Sequence, residues 1–236
     1  MKREYHKWFS PTLGRDMELL IFGHGGLPAV VFPTSCGRFY EFENRGMVHA
    51  VQHQVESGHL QLFCVDSVDA ESWYNREVPP RWRIARHMQY EDYILHEVLP
   101  LVRRLNWNQK LAAVGCSFGA YHAANIALRH PDLFTAFLGM SGAYDMSNFL
   151  RGYYDQDCYF NLPTHYLPNL HDGWHFDHYH RNTYVLAAGD WDICRHPTEH
   201  LADVMRSKGI HVRLDIWGER IEHDWPVWLR MVETYL

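Results

Sequence analysis

Short unbroken runs of apolar residues alternate along the chain with longer stretches in which apolar positions recur every three or four residues. The first kind predicts strands and the second predicts helices. Residues 16–22 (DMELLIF) and 29–32 (AVVF) read as strands joined by a hairpin turn at Gly23-His24-Gly25-Gly26. No helix pattern follows those glycines directly, which argues against a phosphate loop. Helical spacing covers 44–57 and stops at Gly58; a strand follows at 60–65 (LQLFCV), then a loop at Asp66-Ser67-Val68-Asp69. From 84 to 104, Ile94, Leu95, Val98, Leu101 and Val102 share one side of a long helix, which Pro100 is expected to kink or divide.

The second half is more regular. Leu111 to Val114 form a strand, and the small residues Gly119, Ala120, Ala123, Ala124 and Ala127 follow at helical spacing, so that helix can lie close against a sheet. His130-Pro131 closes it, and a strand at 136–140 (AFLGM) leads to Ser141-Gly142. Periodicity then fails over 143–182, where ten aromatics and five histidines occur without an amphipathic run; this reads as a cap-like excursion over the sheet edge. The pattern resumes with strand 183–188, the loop Gly189-Asp190-Trp191-Asp192, a helix at 197–208 stopped by Gly209, and strand 211–217. A last helix starts at the N-cap Asp224, with Pro226 in its first turn. Strands alternating with helices predict the α/β class: one domain, 1–236, with a mostly parallel central sheet and helices on both faces.

Composition narrows the function classes. A chain of 236 residues with 47% hydrophobic content can bury a sizeable core and is not disordered. Its 22 basic and 28 acidic residues leave a net charge of −6 with no basic block, which argues against a nucleic-acid partner. No stretch approaches the ~20 apolar residues of a membrane span. The opening MKREYHKWFS has no apolar signal core behind it. Five scattered cysteines without a CxxC pair suit a reducing compartment, so the expectation is a cytoplasmic protein without a membrane partner.

At the junction of strand 111–114 and its helix stands Gly115-Cys116-Ser117-Phe118-Gly119, a G-x-S-x-G. This is the pattern of a nucleophile elbow, which presents a serine at the tip of a sharp strand-to-helix turn. Side chains two residues before and after the serine would collide in so tight a turn, hence the glycines. A chance serine in a βα turn fits the same five residues, so the rest of the chain has to decide. In such a sheet functional groups gather at the carboxyl ends of strands. Ser117, the Asp190/Asp192 pair and His223 fall there, in the chain order Ser, acid, His of an α/β-hydrolase triad. A serine hydroxyl is a weak nucleophile at neutral pH. His223 would take its proton as general base and return it to the leaving group, while a buried aspartate fixes the imidazole's tautomer and stabilises the imidazolium. Asp192, three residues past Gly189, is far enough from the strand to turn back toward the histidine, which leaves Asp190 to cap or brace the loop.

The tetrahedral intermediate also needs two N–H donors at its oxyanion. One is expected from Phe118, the residue after the nucleophile, and the other from the loop after strand 29–32, at Ser35 with Cys36 in reserve. The chain has 18 histidines, most of them read as packed or surface residues. His175, His178 and His180 lie close in sequence, but no carboxylate motif frames them, and this chemistry requires no metal or cofactor. Cys116 reads as a small packed residue.

Several stretches beyond the elbow resemble the putative-esterase family of α/β-hydrolases, which includes esterase D, feruloyl esterases and the mycolyltransferases. YEDYILHEVLPLV (90–102) resembles the family helix ending E-x-x-P before the elbow strand. HPDLFTAFLGMSG (130–142) resembles its h-P-d-x-F and S-G stretch, GDWD (189–192) its G-x-x-D, and EHDWPVWLRMVETYL (222–236) its G-H-D-W-x-x-W ending. The resemblance implies an α/β-hydrolase fold, a small-molecule ester substrate, Asp192 as acid and His223 as base. Two places depart from the family. Pro33-Thr34-Ser35-Cys36-Gly37 stands where H-G-x-x-G is usual, so Ser35 supplies the second N–H by position alone. Glu222 replaces the glycine before the histidine, a second carboxylate able to raise the pKa of His223. The function expected is hydrolysis of carboxylic esters through an acyl-enzyme on Ser117. The same triad suits an acyltransferase that passes the acyl group to an alcohol, and the altered loop and Glu222 suit a catalytically silent binding protein.

Overall fold

The structure, a computed structural model, describes residues 1–236. Eight strands form one sheet: β1 (Arg3–Ser10), β2 (Arg15–Phe22), β3 (Leu27–Phe32), β4 (Leu60–Val65), β5 (Ala112–Cys116), β6 (Ala136–Met140), β7 (Thr183–Gly189) and β8 (Arg213–Trp217). Their order is β1-β2-β4-β3-β5-β6-β7-β8. The six strands from β4 to β8 in that order run parallel, and β2 and β1 add an antiparallel margin. Along each strand side chains alternate between two cores. Val30, Phe32, Phe63, Val65, Ala113 and Phe137 enter one apolar cluster. Their neighbours Ala29, Val31, Leu62, Cys64, Val114 and Leu138 enter the other. Burial of both faces is why the central strands read as unbroken apolar runs rather than alternating ones.

Helices cover both faces. The second cluster is closed by α1 (Glu41–Asn44), α2 (Met47–Ala50), α3 (Gln52–Glu56) and the C-terminal helix, through Phe42, Met47, Val48, Val55, Trp228, Met231 and Val232. The first is closed by α4 (Pro80–Tyr93), α5 (Leu99–Leu105) and α6 (Phe118–Arg129). A π-helical turn at Ile94–Val98 joins α4 to α5. Pro100 has no N–H to donate to the preceding turn, and the wider turn absorbs the mismatch, so the long helix is divided as its proline implies. Residues 143–182 hold α7 (Ser147–Leu150), α8 (Gln156–Phe160), α9 (Pro163–Tyr166) and α10 (Gly173–Tyr179). Tyr144, Leu150, Leu162, Tyr166 and Tyr179 of this segment are buried in the first cluster, so much of its aromatic content packs against the sheet layer. Then come α11 (Arg195–Ser207), β8, and α12 (Trp225–Tyr235), which Asp224 caps by accepting the Trp225 amide.

The chain departs from its expected course at two places. First, β2 and β3 are not a hairpin, because β4 lies between them. The loop at 23–26 steps over the start of β4, and a Cβ on Gly26 would sit 2.1 Å from the backbone of His59, so only glycine permits the crossing. The hairpin lies between β1 and β2, paired from Arg3–Phe22 to Ser10–Arg15. β1 has no apolar face; Tyr5, Lys7 and Phe9 are exposed and Glu4, His6 and Trp8 only half-buried, the composition of a guarded sheet edge. Second, the helix expected over 44–57 is three short ones. Gly46, at φ +80°, turns the chain out of the right-handed helix.

Candidate active site

Ser117 is the single residue between β5 and α6, at φ +53° and ψ −118°. A non-glycine residue in that region costs roughly 1–3 kcal/mol and is kept only where its surroundings enforce it. They do so through close backbone approach. A Cβ on Gly115 would lie 2.1 Å from the Gly119 backbone, and one on Gly119 would lie 2.4 Å from the Phe32 carbonyl oxygen. The Ser117 amide donates to the Met140 carbonyl at 2.9 Å, and the Ala143 amide donates to the Ser117 carbonyl at 3.2 Å, tying the elbow to the end of β6.

Two loops bring the other groups to it. His223 Nε2 lies 3.0 Å from Ser117 Oγ, and His223 Nδ1 lies 2.8 Å from Asp192 Oδ1. Residues 117, 192 and 223, spread over 106 positions of sequence, thus form one hydrogen-bonded line. Asp190 braces the loops around them, its carboxylate accepting the amides of Ile221 at 2.8 Å and Arg220 at 3.3 Å. The Trp191 amide donates to the Ile221 carbonyl at 3.0 Å. Gly189 allows this stitch, since a Cβ there would meet the Ile221 carbonyl oxygen at 2.0 Å.

The Asp192 side chain is fully buried, while that of His223 is 17% exposed. Burial pushes the Asp192 carboxyl upward, but hydrogen bonds from His223 and the Cys194 amide outweigh it and hold the group below the usual aspartate value. The carboxylate therefore stays ionised beside the imidazole. The Trp228 ring meets His223 edge-on at 4.9 Å between centroids, and its Nε1 donates to Ser141 Oγ at 2.8 Å. Ser141, buried and at φ +54°, donates its amide to the Ala187 carbonyl at 2.7 Å. The S-G and W-x-x-W stretches contain these two residues, but nothing in the sequence joins Ser141 to Trp228, 87 positions away. Glu222 is exposed and makes no ion pair with His223, whose acidic partner is Asp192.

Phe118 opens α6, where an amide has no partner within the helix. The 33–37 loop lies against the elbow, since the Gly119 position is also closed by the Pro33 carbonyl oxygen at 2.5 Å. Within it Ser35 keeps an amide without a protein acceptor, whereas the Cys36 amide donates to Asp69 Oδ2 at 3.2 Å. Asp69 Oδ1 in turn lies 2.9 Å from His122 Nε2 in a fully buried pair that no sequence motif signals.

The ligating atoms of Asp192, Cys194 and His223 lie within 4.8 Å of one another. As a metal centre the set fits poorly: both His223 nitrogens are already engaged, and burial pushes the Cys194 thiol up to about 12, far from the thiolate a metal requires. His175, His178 and His180 are not gathered on one centre; His175 Nδ1 pairs with Asp172 at 2.6 Å and His178 packs on Trp174. No helix is long and apolar enough to cross a membrane.

A family model described as putative esterase matches residues 10–235. No curated protein sequence matches the chain. Among solved structures, a ferulic acid esterase superposes with a TM-score of 0.79 at 17% identity, over 100% of this chain and 96% of that one. An S-formylglutathione hydrolase from Agrobacterium tumefaciens gives 0.75 at 14% identity, over 99% and 92%. MPT51 (FbpC1) from Mycobacterium tuberculosis gives 0.66 at 18% identity, over 99% and 96%. At these identities the likeness is one of fold, the α/β-hydrolase fold, which agrees with the eight-stranded sheet and its two helical layers.

Proposed function

The chain belongs to the putative-esterase family and is a carboxylic ester hydrolase, and we propose that it works through an acyl-enzyme on Ser117 with Asp192 and His223 as its partners. The observation that carries this reading is the hydrogen-bonded line from Ser117 Oγ through the imidazole to Asp192, 3.0 and 2.8 Å long. His223 Nε2 takes the hydroxyl proton as Oγ attacks the ester carbonyl carbon. Asp192 holds the other nitrogen as N–H and stabilises the imidazolium. The developing oxyanion is received by the amides of Phe118 and Ser35. As the carbonyl re-forms, the C–O bond to the alcohol breaks and the imidazolium gives its proton to the departing oxygen. Water, activated by the same imidazole, then attacks the acyl carbon and Ser117 leaves with the proton.

The reading makes 1–236 one hydrolase domain, with 143–182 as a cap packed into it. The substrate is a small ester. Beside the nucleophile, the half-buried rings of Tyr74 and Phe149 pack edge-on against the buried Phe118 ring at 5.1 and 5.8 Å and give the site an apolar wall. Ser117→Ala is expected to lower turnover of a short p-nitrophenyl ester by about 10⁴-fold or more. A fluorophosphonate should label Ser117 in the wild type and nothing in the variant. Wild-type turnover by Ser117→Ala would end this reading. Product analysis with competing alcohols separates water from an alcohol as the acyl acceptor, and a folded protein inert to the probe would be a silent binding protein.

A further inference from the structure

The loop that carries Ser35 lacks the histidine and first glycine usual in the family, yet it is held from both sides. Thr34, just before Ser35, donates its amide to Glu41 Oε2 at 2.8 Å and its hydroxyl to Glu41 Oε1 at 2.9 Å. Cys36, just after it, donates its amide to Asp69 Oδ2. The Ser35 amide thus stands between two amides already taken by carboxylates. The Ser35 hydroxyl accepts from Tyr74 at 2.7 Å, which holds its side chain as well.

Three further features indicate that this is a built arrangement. Cys36 lies at φ +55°, a conformation its Asp69 contact helps to enforce. Gly37 leaves room for the clamp, because a Cβ there would sit 2.7 Å from Glu41 Oε2. Asp69, through His122, is anchored to α6, the helix whose first amide is that of Phe118, so both candidate oxyanion donors are tied to one rigid element.

We propose that Glu41 and Asp69 are positioning residues of the oxyanion hole: they engage the amides on either side and leave that of Ser35 as the loop's one free donor. This rests on the catalytic reading given above. Two carboxylates near a developing oxyanion oppose it electrostatically, so what they contribute is acceptor geometry rather than charge. A neutral isostere that keeps an acceptor oxygen should therefore preserve much of the effect, and truncation should not.

The test uses the full chain and a p-nitrophenyl ester, with a trifluoromethyl ketone whose serine adduct places an oxyanion in the hole. Glu41→Ala and Asp69→Ala should each lower kcat roughly 10- to 100-fold with KM within about threefold, since small misplacements near the reacting atoms cost up to that much. The ketone's inhibition constant should weaken by the same factor, and Glu41→Gln should recover most of the loss. If the Asp69 variants do not fold, the half-buried Glu41 decides the matter. Wild-type kcat in Glu41→Ala, or a fall in kcat with unchanged ketone affinity, would overturn the proposal. Activity surviving in Ser117→Ala would remove the catalytic reading and this inference together. An inactive Ser117→Ala beside a fully active Glu41→Ala would remove this inference alone.

Discussion

In the proposed mechanism the elbow and the loop after β3 serve one reaction from the same end of the sheet, but different materials hold them. Around Ser117 the walls are backbone: Gly115 and Gly119 are closed at 2.1 and 2.4 Å by main-chain atoms of α6 and β3. Around Ser35 they are side chains: Glu41, Asp69 and Tyr74 hold the loop, and the space at Gly37 is bounded first by a carboxylate oxygen. A hydrogen-bonded backbone has nowhere to move, whereas a carboxylate can turn about its side-chain bonds. The same substitution should therefore cost far more at the elbow than at the loop.

The largest effect separates two carboxylates by what they supply. Asp192→Asn keeps shape but loses the charge that stabilises the imidazolium, and its amide can turn an N–H toward the imidazole and select the wrong tautomer, so kcat should fall about 10⁴-fold. Glu41→Gln is the same chemical change on the loop side and should leave kcat within about threefold, because an acceptor remains for the Thr34 amide. Steady-state kinetics on both variants decides it; comparable losses would mean that the loop carboxylate also works through its charge.

Next comes the glycine pair. Gly115→Ala should cost about 3 kcal/mol or more, since backbone cannot retreat from a 2.1 Å contact, and should take activity with it. Gly37→Ala should cost about 1–2 kcal/mol, since Glu41 can turn aside but the Pro33 ring at 2.9 Å must also shift, and should lower kcat roughly tenfold as Glu41 is displaced. Urea titrations with parallel assays measure both, and equal stability losses would break the contrast. Tyr74→Phe, which removes only the hydroxyl on Ser35, should lower kcat by a few-fold and leave stability within about 1 kcal/mol.

The same difference explains what was legible in the sequence. Ser117 is announced by its neighbours because the constraint on it is local, glycines two residues away in each direction. The convergence of Asp192 and His223 on Ser117 is legible because strand ends in a parallel sheet converge, and the strands that precede all three residues show in the sequence. Glu41, Asp69 and His122 carried no such signal; the Asp69–His122 pair spans 53 positions and neither residue lies in a motif. The crossing at 23–26 has the sequence of a hairpin because a tight glycine turn has the same local chemistry whether the strands it joins pair or straddle a third. β1 gives no pattern in the sequence because an edge strand with charges on its margins has no apolar face to display. The helical pattern over 44–57 runs through Gly46 because periodicity is blind to a single left-handed residue.

The smallest effect concerns pH and tests whether Asp192 is bound as an ion. Its folded carboxyl titrates below the ordinary value because hydrogen bonds from His223 and the Cys194 amide outweigh its burial. A carboxyl with a depressed folded pKa binds its proton less readily in the folded chain than in the unfolded one, where the value is about 3.9. Its contribution to stability is therefore present above that value and drains away as pH falls through the folded pKa. Asparagine has no such titration. At pH 7 the wild type should melt above Asp192→Asn by on the order of 1 kcal/mol, about 2–4 °C for a chain of this length. The gap should narrow as the pH is taken down toward 3, with melts followed by circular dichroism. A gap that stays constant from pH 7 to pH 3 would mean that Asp192 stabilises by packing alone, and that the backbone stitch around Gly189 and Asp190 holds His223 in place without it.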